Sequence, residues 1–154
     1  MVSKRGDEKP WMAADDYGRS LSGIGVNLLV RDVARSVEFA KAVLLARVVY
    51  ADADFAVLRY ESGRTAAEWM LHADHTYSSH PLLALTGDGA VRGAGAEIRL
   101  YDLDPDAAVK RAELRGDTVL QGATDKPHGL RECYIADPDG YVWVPGVPRA
   151  KARD

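Results

Sequence analysis

Two polar positions in matching parts of the chain carry side chains that could bind or transform a ligand. Glu97 lies in an alternating segment, where a carboxylate could hold a cationic or amide-rich ligand or act as a general base with a raised pKa. Asn27, in an earlier segment of the same type, offers both a hydrogen-bond donor and an acceptor. An ion pair between Glu97 and either Arg99 or Arg31 would explain the carboxylate equally well.

Three histidines in the middle of the chain suggest a metal site. Glu68 and His72 lie on one face of a predicted strand, whereas His75 and His80 follow in an irregular loop. Glu68, His72 and Glu97 could together form a nonstandard site for a divalent metal. No further ligand with a fixed spacing supports this site, and a solvated polar loop explains the histidines as well.

Other polar and aromatic side chains alternate along the same predicted strands. We predict a small-molecule site formed by Asn27, Glu68, Glu97, Arg99 and Tyr101. Four aromatic rings could stack on a planar ligand: Trp69, Tyr101, Tyr134 and Trp143. Trp143 alternates with Val144, so only one of the two can face the ligand, and both tryptophans also fit a role in the core.

Composition bounds the classes of protein to which the chain can belong. Its 154 residues suit one domain or two small fused modules. The net charge of −3 gives no general attraction to nucleic acid or to anionic membranes, and no segment is long and apolar enough to span a bilayer. The single cysteine, Cys133, is interpreted as a strand residue in a reducing compartment. We therefore expect a cytoplasmic protein.

The candidate residues need a scaffold, and the chain predicts one in two similar halves. The first half predicts a strand at 26–30, a helix at 33–45 that begins behind Asp32, and three more strands up to residue 72. Residues 73–95 are rich in glycine and histidine and predict a connection with one short helical turn at 81–85. The second half repeats the order, with a helix at 107–114. Asp104, Pro105 and Gly116 mark the ends of that helix.

The two halves can be superposed without gaps through their first strand, helix and second strand. This superposition places Asn27 on Glu97, Asp32 on Asp102 and Leu44 on Leu114. It indicates an internal duplication, and chance similarity between two strand–helix units is the alternative. Each unit should form a small curved sheet with a helix outside, and two such sheets should form a cup lined by polar and aromatic groups.

The final predicted hairpin contains a turn of distinctive composition. Asp137-Pro138-Asp139-Gly140 joins two segments that are rich in β-branched and aromatic residues. Pro138 presets φ at the first central position of the turn, and Gly140 can adopt a positive φ.

With these motifs the chain resembles the vicinal oxygen chelate superfamily, which contains glyoxalase I, bleomycin-resistance proteins and extradiol dioxygenases. The residues that carry the resemblance are Asn27 to Phe39, the third and fourth strands of the first half, and Asp137 to Trp143. The resemblance implies an α+β fold of paired βαβββ modules that form a curved, cup-like mixed sheet with helices outside. One departure is at the end of the first helix, where the family usually has glycine and this chain has Leu45.

The resemblance also implies where a metal would be held. The usual ligand positions fall at Gly25, Gly95 and Val144, which cannot coordinate, and only Glu68 lies near a further position. The chain therefore resembles the metal-free, bleomycin-resistance-like branch, and we expect it to bind or sequester a small molecule without a cofactor. A metal-dependent lyase, isomerase or dioxygenase with relocated ligands is the alternative.

The resemblance suggests a domain layout and a partner. We expect an N-terminal arm at 1–22 and one domain at 23–148, with modules at about 24–73 and 95–146 and a linker at 74–94. Residues 149–154 would be a tail. The arm is interpreted as extended, pinned by Trp11, Met12 and Tyr17 to the body or to a second subunit, or else as a frayed tail. Because this superfamily commonly forms pairs of modules within or between chains, we expect a homodimer.

Overall fold

A computed structural model of the protein describes residues 10–150. The first nine residues of the predicted arm and the last four of the predicted tail lie outside this range. The described elements follow one another as α1 (Ala14–Ser20), β1 (Asn27–Val30), α2 (Val33–Ala42), β2 (Arg47–Ala51), β3 (Phe55–Ser62), β4 (Thr65–Ala73), β5 (Glu97–Tyr101), α3 (Pro105–Arg115), β6 (Thr118–Asp125), β7 (Leu130–Ala136) and β8 (Val142–Pro148). Short 3₁₀ turns occupy Asp74–Thr76 and Pro81–Leu85 in the connection between the halves.

The strands form two open four-stranded sheets of identical topology. The first sheet has the order β1-β4-β3-β2 and the second has the order β5-β8-β7-β6. In each sheet the first strand pairs in parallel with the last, and the other pairs are antiparallel. The predicted α+β fold of two βαβββ modules is confirmed.

Local sequence signals set the start of α2 and both ends of α3 as predicted, whereas α2 ends at Ala42, three residues before the predicted end. The Asp32 carboxylate accepts a hydrogen bond from Arg35 N–H, and Asp104 accepts from Asp106 and Ala107 N–H. Gly116 ends α3 with φ 79°. Leu45, where the family usually has glycine, also has a left-handed backbone with φ 57°. This conformation strains a bulky side chain.

The gapless superposition of the halves is wrong in the helices. Leu44 is fully buried, whereas Leu114 is 89% exposed, so the two residues are not equivalent. The helix of the second half begins two residues later relative to its strand, because Asp104 rather than Asp102 caps it. Asp102 instead has a left-handed φ of 59° in the turn before the helix.

The helix-facing sides of both sheets contribute to one continuous core. Leu58 and Phe39 of the first module and Ile135 and Trp143 of the second belong to the same buried cluster. Trp143 packs against Trp69 with ring centroids 4.9 Å apart, so it is a core residue. Cys133 is a buried strand residue, as predicted.

Two turns hold the modules together in a reciprocal way, and we call these contacts the turn locks. In the first lock, Asp139 of the β7–β8 turn accepts hydrogen bonds from the backbone and side chain of Arg31 at 3.1 and 3.0 Å, and from Ser36 Oγ at 3.4 Å. In the second, Asp102 accepts from Thr65 Oγ1 at 2.9 Å and from Arg64 N–H at 3.1 Å in the β3–β4 hairpin. The distinctive turn therefore has a structural role.

The described part of the N-terminal arm is partly helical rather than extended. Helix α1 lies against the first sheet, where Tyr17 Oη donates to Glu68 Oε1 at 3.1 Å and the Trp11 ring lies 5.5 Å from that of Tyr50. Within residues 10–150, no helix has the length and apolar character needed to cross a membrane.

Candidate functional site

A large cavity lies where the two modules meet, and we call it the module cleft. Its volume is about 800 Å³, within the size range of small-molecule sites. Strands of both modules line it, together with α1 and the segment that follows α1. Its lining includes the side chains of Tyr17, Arg59, Ala66, Glu68, Trp69, Arg99 and Trp143.

One wall of the module cleft carries a hydrogen-bonded group centred on Glu68. Its Oε2 accepts from Arg59 Nε at 3.0 Å, and its Oε1 accepts from Tyr17 Oη. Burial and the Glu68 carboxylate raise the pKa of Tyr17 to about 12, so its hydroxyl remains a donor at neutral pH. Glu68 is thus fixed in place by a cation and a phenol.

Strand β5 brings Arg99 to the module cleft, and its guanidinium lies between two carboxylates. Arg99 pairs with Glu97 at 2.7 Å and also with the fully buried Glu132. His128 Nε2 lies 2.9 Å from the same Glu132 oxygen. The ion pair with Arg99, which was the alternative explanation for the Glu97 carboxylate, is therefore present.

The cleft wall also contains an indole donor without a partner among the described residues. Trp69 is 4% exposed, and its Nε1–H makes no hydrogen bond within residues 10–150. A buried donor left unpaired costs about 1–3 kcal/mol, so this position favours a ligand or water with an acceptor atom. The Trp143 ring packs against the Trp69 ring at an interplanar angle of 51°, on the buried side of this wall.

The predicted ligand residues are not all brought to one place. Glu68 and Arg99 line the module cleft, but Asn27 and Glu97 do not. Tyr101 is 46% exposed and lines a separate, smaller cavity between the β3–β4 hairpin and the second sheet. The five predicted residues therefore do not lie together, and two of them, Glu68 and Arg99, line the module cleft.

Asn27 instead forms a hydrogen bond with His72. Its Oδ1 lies 2.5 Å from His72 Nδ1, a distance that favours a proton on Nδ1 and leaves Nε2 as the basic nitrogen. Burial, and secondarily the charge of His80, lowers the pKa of His72, so the imidazole is neutral at pH 7. His75 pairs with Asp54 at 2.6 Å, and His80 accepts from Leu82 N–H. The three histidines have separate structural contacts.

The donor atoms do not fit the metal site that the fold implies. Gly25 lines the module cleft, and Val144 is 1% exposed beside Arg99, its partner in the parallel ladder. Within residues 10–150, no three His, Cys, Asp or Glu side chains are grouped so that they could hold a metal ion. Glu68, His72 and Glu97 are each engaged by different partners, so they do not form a ready ligand set.

Three basic side chains near the β6–β7 connection each have a local contact. Lys126 donates to Gln121 at 2.7 Å and lies over the Tyr134 ring. His128 lies at the buried Glu132, and Arg131 binds Asp106 on α3. Of the three, only His128 contacts the group around Arg99.

Two residues of the cleft wall, Arg59 and Tyr17, were not identified from the sequence. Arg59 pairs with Glu68 across the β3–β4 hairpin. This partnership follows from the hairpin register around Gly63, because residues equally distant from a two-residue turn face each other. No sequence signal places Tyr17 beside Glu68, because that contact depends on how the arm folds back.

With the geometry described, the chain can be compared with known proteins. A sequence profile of the Glyoxalase/Bleomycin resistance protein/Dioxygenase superfamily matches residues 25–144. TioX from Micromonospora sp. ML1 is 20% identical with a TM-score of 0.57, over 86% of this chain and 100% of that one. A glyoxalase/bleomycin resistance protein/dioxygenase from Nocardioides is 20% identical with a TM-score of 0.58, over 90% of this chain and 95% of that one.

A third structure has the same fold without an assigned activity. Hypothetical protein SA1046 from S. aureus is 19% identical with a TM-score of 0.61, over 85% of this chain and 98% of that one. The search of curated proteins finds no match. Identities this low show a shared fold and leave the ligand to be argued from the site.

Proposed function

This chain belongs to the Glyoxalase/Bleomycin resistance protein/Dioxygenase superfamily, and from that premise we propose that it binds a small molecule in the module cleft without a catalytic metal. The observation that carries the proposal is the cleft of about 800 Å³, walled by both modules. Large, partly apolar cavities with a few convergent polar groups are the usual binding sites of small molecules.

The polar groups of the cleft indicate the kind of ligand. Trp69 Nε1–H lacks an acceptor among the described residues, and Arg59 and Arg99 are cationic donors in the same walls. The exposed side chains of Leu21 and Ile24 offer apolar area in the same cleft. A ligand with an anionic or carbonyl head and an apolar body matches both features.

The metal-free part of the proposal depends on side-chain chemistry. A transition metal needs three or four protein ligands, whereas glycine and valine occupy the positions implied by the fold. Analysis of untagged protein, purified without chelators, by inductively coupled plasma mass spectrometry should find less than stoichiometric zinc, iron, nickel or manganese. A stoichiometric metal would defeat this part and favour an enzyme with relocated ligands.

We also propose that two copies associate, as members of the superfamily commonly do. Ile24, at the edge of the module cleft, is 95% exposed, and Leu21 beside it is 45% exposed. Apolar side chains at the mouth of a cavity are suited to contact with a second protein surface. Light scattering should give the mass of a dimer, and Ile24→Asp should reduce it to that of a monomer. A strict monomer in the unmodified protein would overturn this part.

The ligand proposal can be tested with an amphipathic probe, 1-anilinonaphthalene-8-sulfonate. Its sulfonate can accept from Arg99 and Trp69, and its rings can lie on the apolar wall of the cleft. Arg99→Gln should weaken binding about tenfold, the cost of one charge-assisted contact. Ala66→Trp should block the cleft, since Ala66 is exposed and lines it.

The matched control is Arg47→Gln, which removes an exposed arginine whose ion pair with Glu61 spans 3.9 Å at the surface. It should leave probe binding unchanged. Circular dichroism spectra would confirm that each variant is folded. If Ala66→Trp binds the probe as well as the unmodified protein does, the module cleft is not the binding site.

A further inference from the structure

A second cavity lies between the N-terminal arm and the first sheet, outside the site proposed above. Its volume is about 370 Å³, at the lower end of the small-molecule range. Tyr17, Leu21 and Met70 line both cavities, so the two adjoin. The arm forms one side of this second cavity, and the free faces of β2, β3 and β4 form the other.

Four aromatic rings surround this cavity in a closed circuit, which we call the aromatic box. Trp11 lies 5.0 Å from Tyr17 and 5.5 Å from Tyr50, measured between ring centroids. Phe55 lies 6.3 Å from Tyr17 and 6.2 Å from Tyr50. Two rings come from the arm and two from the sheet, and all four line the cavity.

The spacing of the rings suits a cation. A square with sides of this length has a half-diagonal of about 4 Å, and a cation is attracted to a ring face within about 6 Å of its centroid. A single cation could therefore contact several rings of the aromatic box at once. An ordinary apolar packing cluster would fill this space with its own side chains.

The charges around the aromatic box have the matching sign. Asp52 and Asp54 line the cavity, Asp54 Oδ1 also lies 2.6 Å from His75 Nε2, and within the described residues no Lys or Arg lines the cavity. Asp52 Oδ2 accepts from Tyr50 Oη at 2.6 Å, and this hydrogen bond places a carboxylate at the edge of one ring. His72, the remaining titratable wall residue beside Tyr17 and Tyr50, is neutral because burial lowers its pKa.

We propose that the aromatic box binds a small organic cation with a methylated ammonium head, held by the rings of Trp11, Tyr17, Tyr50 and Phe55 and by the negative charge of Asp52 and Asp54. Such a head has a low desolvation cost and spreads its charge over methyl groups that contact ring faces. Rings combined with carboxylates are the usual means by which proteins recognise quaternary ammonium groups.

Choline and its uncharged isostere, 3,3-dimethylbutan-1-ol, separate this proposal from simple apolar binding. Isothermal titration calorimetry on the full chain should show that choline binds at least about fivefold more tightly than the alcohol. Trp11→Leu should weaken choline binding about threefold to tenfold, whereas Trp11→Phe, which keeps a ring, should lose less. Trp11 is 40% exposed, so these variants should remain folded.

Asp52→Asn tests the charge without removing the shape. Asp52 Oδ1 accepts from Asp54 and Phe55 N–H, and an asparagine carbonyl can take over both bonds. Choline binding should weaken in this variant, while binding of the alcohol should not change. Tyr134→Leu, the matched loss of a ring on the other module, should change neither.

Two outcomes would overturn the aromatic box as a cation site. Absence of choline binding up to about 10 mM would show that the rings are only packing. Equal binding of choline and the alcohol would show an apolar pocket. Either result leaves the module cleft untouched, because Arg99→Gln and Ala66→Trp report on that cleft with a different probe.

Discussion

Replacement of Asp139 by alanine should destabilise the protein strongly, because this side chain is the centre of the first turn lock. Asp139 is 4% exposed and accepts from the Arg31 backbone, the Arg31 guanidinium and Ser36 Oγ. The buried guanidinium of Arg92 also lies 3.8 Å away. Asp139→Ala would leave these donors without their acceptor.

The size of the effect can be estimated from the contacts. Removal of one partner from a buried charged pair costs about 3–5 kcal/mol, and the lower end applies here because 41% of the Arg31 side chain is exposed. Arg92 also keeps its second partner, Asp74, at 2.6 Å. We therefore expect a loss of about 3 kcal/mol in the free energy of unfolding, or a fall in Tm of about 6–12 °C for a domain of this size.

Urea-induced unfolding followed by tryptophan fluorescence would measure this loss. The buried Trp69–Trp143 pair reports on the interface between the modules. Asp88→Ala is the matched control, because Asp88 is an exposed aspartate in the connection between the modules. If Asp139→Ala and Asp88→Ala have the same stability, the turn does not lock the modules and the reasoning fails.

Burial and backbone geometry set three other expectations. Burial raises the pKa of the Cys133 thiol to about 12, so Ellman's reagent should label native protein only after denaturant is added; rapid labelling without denaturant would contradict this. Burial raises the pKa of Asp137 to about 6. Between about pH 4 and 6, Asp137 is therefore protonated in the folded state and ionised in the unfolded state. Stability should therefore fall by up to about 3 kcal/mol across that range, and the fall should be absent in Asp137→Asn. Leu45→Gly should raise the free energy of unfolding by about 1 kcal/mol, because glycine adopts φ 57° without strain; a lower Tm would refute this.

Much of the fold could be predicted because its signals are local. Asp32 and Asp104 cap helices by bonds to residues two or three positions away. Alternation in β8 showed that only one of Trp143 and Val144 could face a ligand, and the structure places Trp143 in the core. Such features depend only on residues that are close together in the chain, so a single sequence is enough to predict them.

The site was less predictable because its contacts join distant segments. Tyr17 and Glu68 are 51 residues apart, and no local pattern in the arm identifies either its helix or its docking surface. A gapless superposition placed Asp102 on Asp32, but a turn two residues longer shifts the helix, and only burial distinguishes Leu44 from Leu114. Strand alternation predicted which side chains share the polar face of a sheet. It could not show that Glu68 and Arg99 line the module cleft while Tyr101 lines a different cavity.

The reciprocal turn locks also suggest how a protein of this form can arise. Each module seats its hairpin on the strand-to-helix corner of the other, although the aspartate lies in the hairpin in the first lock and at the corner in the second. Two identical half-length chains related by a two-fold axis would present the same pair of hairpin-to-corner interfaces. Fusion of two copies of such a gene would then need only a peptide to connect them. The two modules could diverge afterwards, the first by gaining the N-terminal arm with Trp11 and the second by gaining the charged residues around Arg99.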